Sequence, residues 1–252
     1  MGHELDRKVW APDGVGWRAQ IGLVTPDNDP IPESEFWTLA PEGVSVSSAR
    51  VVLNDTLTYH EPPGPDNAIA LLARLPLHSI VFAFTTTSYI LGAGGRQALM
   101  ARLEEASKGI PVLLTGDAAT AACRALRARR IALIHPPWFT EDVVEKGAEY
   151  FRQEGFDIVH ASHLTPPRKQ TEVDPGETYT WVRNHVPSNA EAVFIGGNGY
   201  RTIGVIAALE EDLGRPVLTG NQVAFWYALN LAGVGAAVEG YGEVFTAILS
   251  GG

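Results

Sequence analysis

Two stretches of the chain carry residue types that bind negative charge. Thr85-Thr86-Thr87-Ser88 places four hydroxyls directly after the apolar run Val81-Phe82-Ala83-Phe84. Gly196-Gly197-Asn198-Gly199 places a glycine-rich turn directly after Val193-Phe194-Ile195. Glycines let successive backbone N–H groups approach a ligand closely and form a nest for an anion. Hydroxyls at the head of a following helix cap its free N–H groups or share an anion with them. Together such donors suit a carboxylate, or the enolate that develops from one. The plainer alternative is that the threonines cap a helix and the glycines make a tight turn.

The elements that must position these residues show an internal duplication. Ile21-Gly22-Leu23-Val24-Thr25-Pro26 matches Ile131-Ala132-Leu133-Ile134-His135-Pro136. Val81-Phe82 with a polar loop ending at Gly92 matches Val193-Phe194 with a loop ending at Gly204. Gly109-Ile110-Pro111-Val112-Leu113 with Thr115-Gly116-Asp117 matches Gly214-Arg215-Pro216-Val217-Leu218 with Thr219-Gly220-Asn221. The blocks are short apolar runs bounded by Gly, Pro and polar residues, the mark of buried parallel strands. Helical patterns lie between them, over 68–75, 96–108, 141–154, 178–185 and 202–213. Two more, 118–127 and 222–232, follow the third block of each half. Alternating strands and helices imply right-handed crossovers. The expected fold is α/β, with two pseudo-symmetric, doubly wound, flavodoxin-like parallel-sheet lobes. We expect a first lobe at 18–115 and a second at 116–221. The C-terminal stretch 222–252 belongs by analogy to the second lobe, or crosses back to complete the first.

Ligands of such sheets bind beyond the carboxyl ends of the strands. Two lobes facing each other bring those ends around one cleft, and the two donor stretches fall at equivalent repeat positions. That pairing favours the anion reading. Other residues following the strand blocks are Asp29, Tyr89, Thr115, Asp117, His135, Trp138, Tyr200 and Asn221. His135 is a candidate acid or base at the cleft rim, with a hydrogen-bonded structural role as its alternative. Gly92-Ala93-Gly94-Gly95 resembles part of a dinucleotide fingerprint but does not immediately follow a strand. His160-x-x-His163 lacks a nearby carboxylate or thiol, so no metal site is expected. Cys123 lies inside an alanine-rich helix and reads as packing. Phe225 and Trp226 read as core or lobe interface.

Composition narrows the class. The 252 residues are 45% hydrophobic and 19% charged, which is globular. A net charge of −10 argues against a nucleic-acid partner. One cysteine excludes an internal disulfide and any multi-cysteine metal site. No apolar run reaches the roughly 18–20 residues of a membrane helix. Residues 1–10 contain no apolar signal core. The expectation is a cytoplasmic protein with a small-molecule partner, and a homo-oligomer is compatible with it.

The duplicated chain with its opening I-G-L-V-x-P strand resembles the aspartate/glutamate racemase superfamily, in its arylmalonate decarboxylase and maleate isomerase branch. Ile21–Pro26, Glu35-Phe36, the 85–92 loop and Phe225-Trp226-x-Ala228…Leu231-Ala232-Gly233…Gly240-Tyr241-Gly242…Phe245 carry the resemblance, which spans roughly 18–246. Its racemases use a thiol from each half on opposite faces of the substrate carbon. By motif position those thiols fall at Phe84 and Gly197, within one residue, and neither is cysteine. The family's decarboxylase keeps the second-half thiol as proton donor, so the resemblance implies here only the part of its mechanism that needs no thiol and no cofactor: an enolate held in an oxyanion hole. The implied carboxylate binders are Thr85, Thr86, Gly197, Asn198 and Gly199, with Trp138 near the position of a family tyrosine. Tyr89, His135, Tyr200 and Asp29 are the candidate proton carriers, and Asp117 a further base. Two rivals stand beside the lyase reading: an isomerase or tautomerase with a non-thiol acid and base, and a carboxylate-binding protein without catalysis.

Overall fold

A computed structural model gives the protein's structure over residues 16–52, 58–235 and 238–247. The N-terminal stretch weighed for a signal core, and parts of 222–252, lie outside the described residues. The first half contains β1 (Ala19–Pro26), α1 (Ile31–Leu39), β2 (Val44–Val51), α2 (Gly64–Leu72), β3 (Ser79–Phe82), α3 (Thr85–Ile90), α4 (Gly92–Ser107) and β4 (Val112–Leu114). There follow α5 (Thr115–Ala125), β5 (Arg130–His135), α6 (Glu141–Gln153), β6 (Asp157–His163), α7 (Pro175–His185), β7 (Ala192–Ile195), α8 (Ile206–Leu213), β8 (Val217–Thr219) and α9 (Gly220–Leu231).

Two four-stranded parallel sheets result, in the orders β2-β1-β3-β4 and β6-β5-β7-β8. The orders are identical under the repeat, as the three sequence blocks require. The α/β fold of two doubly wound sheets is thus observed. Leu23 pairs with Val81 in the first sheet, and Leu133 pairs with Phe194 in the second. The central strands carry continuous apolar runs because helices cover both faces. Ile21, Leu23, Val81, Ile131, Leu133 and Phe194 are wholly buried.

The edge strands β2 and β6 are less visible in sequence. VSVSSARV and DIVHASH mix polar with apolar residues, since each strand has only one neighbour and a partly exposed surface. Two short helices also escape the periodicity. α1 carries Pro32 in its first turn, and α3 is only six residues long. The pattern over 68–75 is displaced: α2 begins at Gly64 with Pro65 in its first turn, a favoured place for proline. The pattern over 202–213 divides into a 3₁₀ turn, Ile203–Val205, and α8. α7 is capped by Asp174 and Glu177 in a reciprocal capping box.

Helix α9 packs against β1, β3 and β4 of the first sheet, against β8, and along α1 and α5. Phe225 meets Phe36 of α1 edge to face at 5.1 Å, and the Ser79 hydroxyl donates to the Ala228 carbonyl at 3.2 Å. Phe225 is wholly buried at this junction. Removing such a ring costs about 3–5 kcal/mol. Phe225→Ala therefore unfolds at a markedly lower denaturant concentration than wild type. An unchanged midpoint would show that the junction is not part of the stability-bearing core. Among the described residues, no helix is long and apolar enough to cross a membrane.

Candidate active site

The carboxyl ends of β3, β4, β7 and β8 deliver their next residues to one buried point. Thr85 opens α3, Thr115 opens α5, Gly196–Gly199 follow β7, and Asn221 is the second residue of α9. Three donors converge on a single oxygen, Asn198 Oδ1. The Thr85 N–H reaches it at 2.9 Å, the Thr85 hydroxyl at 2.7 Å and the Thr115 hydroxyl at 3.2 Å. The Gly197 N–H donates to Thr85 Oγ1 at 3.3 Å, completing the link between the halves. Thr85, Thr115 and Asn198 are all buried, and among the described residues no charged side chain hydrogen-bonds to this oxygen.

The turn demands its glycines. Gly197 has φ +99°, a conformation that side chains strongly disfavour. A Cβ on Gly196 would lie 2.6 Å from His135 Nδ1 and 3.1 Å from the Tyr89 hydroxyl. Tight turning and close packing thus coexist with donor presentation.

Behind Asn198 stands a residue that sequence patterns did not single out as functional. Asn198 Nδ2 donates to Asn221 Oδ1 at 2.9 Å. Asn221 Nδ2 in turn donates to the Asn198 carbonyl at 2.8 Å and to Glu35 Oε2 at 2.7 Å. Glu35 Oε1 accepts the N–H groups of Thr202 and Ile203 at 2.8 and 3.2 Å. Burial pushes the Glu35 carboxyl up to about 7, opposed by these donors and aided by nearby Asp29. Pro32, Glu35, Phe36 and Leu39 form the buried face of α1 at i, i+3, i+4 and i+7. A carboxylate inside an apolar helical stripe is the signal that finds it.

Asp29 reaches the same region from the first lobe. Its Oδ1 accepts from the Ile31 N–H at 3.0 Å and from Gln170 Nε2 at 2.6 Å. Gln170 Nε2 also donates to the Gly199 carbonyl at 2.7 Å, tying the 163–175 connection to both loops. Asp29 Oδ2 would meet a Gly199 Cβ at 2.6 Å, so it lies against the glycine turn. Among the described residues, that oxygen accepts no hydrogen bond. Burial raises the Asp29 carboxyl, partly opposed by Ile31, Gln170 and Arg50. Tyr59, packed on Phe84 at 4.5 Å, feels Asp29 and Asp27 electrostatically.

Of the remaining proton-carrier candidates, His135 and Tyr89 back onto Gly196 of the same turn from inside the core. His135 does end β5, but its ring is wholly buried between Tyr89 and Phe139, not at a rim. Burial, with His163 adding to it, drives its imidazole down to about 3, and neither ring nitrogen has a hydrogen-bond partner among the described residues. The Tyr89 hydroxyl is likewise buried without a partner among them, and burial raises it. The Tyr200 hydroxyl accepts from Thr178 of α7 at 2.8 Å and faces that helix. Trp138 packs edge-on to Tyr200, and Thr86 is half-buried beside Thr85. Asp117 pairs with Arg96 and Tyr150 in a separate cluster. Cys123 is wholly buried, and burial pushes its thiol up to about 12. His163 meets Glu141, and no group of metal-binding side chains occurs among the described residues.

His135 has a measurable signature. The unfolded chain takes up its proton near 6.5, while the folded state resists until about 3. Protonation favours unfolding, so stability falls by about 1.4 kcal/mol per pH unit as pH drops below 6.5. Denaturant midpoints at pH 7 and pH 5 fall further for wild type than for His135→Leu. An equal fall in both would place the imidazole in contact with water.

Two hollows, of about 450 and 430 Å³, open beyond the edge strands. The first lies against Val51, Tyr59 and Leu71, the second against Leu164, Arg168 and Trp181. They occupy corresponding places in the two halves.

The arylmalonate decarboxylase family model matches residues 66–245. Arylmalonate decarboxylase of Bordetella bronchiseptica is 31% identical over 169 residues, spanning 64% of this chain and 68% of that protein. The maleate isomerase Iso from Pseudomonas putida S16 superimposes with a TM-score of 0.82 at 18% identity, over 90% of this chain and 98% of that one. A variant of the Nocardia farcinica maleate cis-trans isomerase with a covalently bound succinylcysteine intermediate gives 0.78 at 23% identity, over 90% and 98%. These relatives are enzymes, one a decarboxylase and two isomerases. The low-identity structures establish shared architecture, and the long family match establishes descent: the chain belongs to the arylmalonate decarboxylase family.

Proposed function

We propose that the protein is a cofactor-independent lyase that decarboxylates a small malonate-type acid through an enolate, without a catalytic cysteine. The observation that carries this reading is the convergence of the Thr85 N–H and the Thr85 and Thr115 hydroxyls on one buried oxygen. The same neutral donors suit a carboxylate oxygen. As the bond to the departing carboxyl group breaks, its electron pair moves into the retained carboxylate. Negative charge then grows on the oxygens these donors hold. A preorganised donor in a dry site lowers such a barrier by about 2.7–4 kcal/mol.

The enolate carbon then needs a proton. Asp29 suits this task best, because its carboxyl is raised by burial and its Oδ2 lies beside the glycine turn. His135 is too weakly basic to hold a proton there near neutral pH, and the Tyr200 hydroxyl faces Thr178. Cys123 is kept as a thiol by burial. Gly197 supplies no nucleophile at the glycine turn, which disfavours an isomerase mechanism through a succinylcysteine-type adduct.

The test is carbon dioxide release from a panel of aryl- and alkylmalonates, run in deuterium oxide. Stoichiometric carbon dioxide and one deuterium in the product support the lyase. Deuterium entering recovered substrate without carbon dioxide release supports the isomerase reading instead.

A further inference from the structure

The unassigned feature is the direction in which the Asn198 carboxamide faces. Its oxygen points at the donors that a substrate carboxylate needs, and its NH₂ points away to Asn221. Three groups that cannot reverse fix this arrangement: the Thr85 N–H, an ionised Glu35 and the Asn198 backbone carbonyl, to which the Asn221 NH₂ also donates. The Thr85 backbone N–H only donates, so it demands the Asn198 oxygen. An ionised Glu35 only accepts, so it demands the Asn221 NH₂, which leaves Asn221 Oδ1 to receive the Asn198 NH₂. The chain Glu35–Asn221–Asn198 therefore runs in one sense. It spans α1, α9 and the turn after β7, and every link is buried.

We propose that Glu35 is a positioning residue which, through Asn221, holds the Asn198 oxygen in the donor cluster and thereby sets how readily a substrate carboxylate enters it. The inference rests on the carboxylate-binding reading of that cluster. With Glu35 ionised, an entering carboxylate meets the Asn198 oxygen and must displace it. With Glu35 neutral, its hydroxyl can donate to Asn221 Oδ1, and reversing Asn221 then costs only the hydrogen bond from its NH₂ to the Asn198 backbone carbonyl. At that lower cost the Asn198 carboxamide can turn. Its NH₂ faces the carboxylate, while the Thr85 N–H passes from the amide oxygen to the substrate oxygen.

The groups facing Glu35 are few. From α9 it meets neutral Asn221, and from the 3₁₀ turn the Thr202 and Ile203 N–H groups. Asp29, just before α1, is the charged neighbour that bears on it, and it disfavours ionisation. Because burial brings Glu35 to about 7, the switch falls within the working range of an ordinary assay.

Glu35→Gln separates this role from simple support. The backbone N–H groups of Thr202 and Ile203 take the single Gln oxygen, so its NH₂ faces Asn221 and reverses the relay. Glu35→Asp keeps an acceptor-only end. The experiment measures KM and kcat for phenylmalonate from about pH 6 to pH 9, and the Kd of unsubstituted malonate by calorimetry over the same range.

Exchanging an opposed oxygen for a donor to a charged group changes affinity by about tenfold or more. Wild-type KM and Kd are expected to rise by that factor as pH passes upward through about 7. Glu35→Gln stays near the low-pH value throughout, with little change in kcat, and Glu35→Asp retains a pH-dependent KM. The Gln variant also controls for ionisation of the ligand itself. A wild-type KM and Kd that are flat with pH, or a Gln variant that follows the Asp variant, would overturn the relay. If the Gln variant does not fold, the wild-type profile and the Asp variant still decide. Absence of carbon dioxide release with a pH-dependent malonate Kd would sink the lyase reading and leave the relay standing.

Discussion

Thr85→Val combined with Thr115→Val is expected to reduce carbon dioxide release from arylmalonates by at least about 10²–10³-fold in kcat, the usual cost of one oxyanion donor. Both hydroxyls end on the same oxygen, and valine keeps their shape while removing the donors. The Thr85 N–H persists, so some stabilisation remains. The loss of the Thr85 hydroxyl also leaves the Gly197 N–H without its acceptor. That orphaned donor costs about 1–3 kcal/mol of stability, and the double variant melts lower than wild type. The activity loss must be measured well below that melting point. Wild-type turnover in a folded double variant would remove the cluster from the reaction.

Asp29→Asn is expected to be the second large effect. An amide oxygen can still accept from Ile31 and Gln170, so the loop keeps its ties. It cannot deliver a proton. General-acid groups contribute about 10²–10⁴-fold, and the loss appears in kcat. Burial raises the Asp29 carboxyl, so its protonated form extends to higher pH than for a solvated aspartate. Wild-type kcat therefore declines as pH rises through that raised value, and the Asn variant lacks this limb. The Glu35 relay acts on KM, so the two carboxyls separate in the same data set. A wild-type rate in Asp29→Asn would move the proton donor to water or to another residue.

Much of the architecture was legible because the chain states it twice. Apolar runs such as Ile131–Ile134 must be buried on both faces, and that requirement leaves little sequence freedom. The edge strands β2 and β6 mix polar with apolar residues, so no strand was singled out there. The destination of α9 was open because its apolar residues suit either lobe. The contacts of Phe225 with Phe36 and of Ala228 with Ser79 place it on the first sheet.

The candidate site was legible in outline only. Hydroxyls after β3 and glycines after β7 were evident as donors from their types. Asn198 was expected to donate to a ligand, yet its oxygen faces the threonines. Amide direction depends on partners far apart in sequence, here Thr85, Asn221 and Glu35. The proton carriers were chosen by their places after strands. Strand position fixes where a Cα lies, but not which way the side chain turns. His135 meets the glycine turn at Gly196 from within the core, Tyr200 turns toward α7, and Asp29 meets the turn at Gly199. Gln170, which joins Asp29 to the Gly199 carbonyl, had no local signal at all.

The resemblance implies thiols at Phe84 and Gly197, where this chain carries none, and the proposed chemistry is the part that needs none. Thiolate addition needs a strong nucleophile, and threonine hydroxyls without an adjacent base do not replace one. Enolate stabilisation asks only for fixed donors in a dry setting, which the lobe junction provides. The two flanking hollows lie at the sheet edges, and Gln170 ties Asp29 to the Gly199 carbonyl beside the buried cluster.

A crystal structure of the protein with bound malonate is the decisive experiment. A carboxylate oxygen is expected in the place now held by Asn198 Oδ1, within hydrogen-bond distance of the Thr85 N–H and the Thr85 and Thr115 hydroxyls. Malonate seated instead in the hollow against Tyr59 or in that against Trp181, with the Asn198 oxygen still on its threonines, would contradict it.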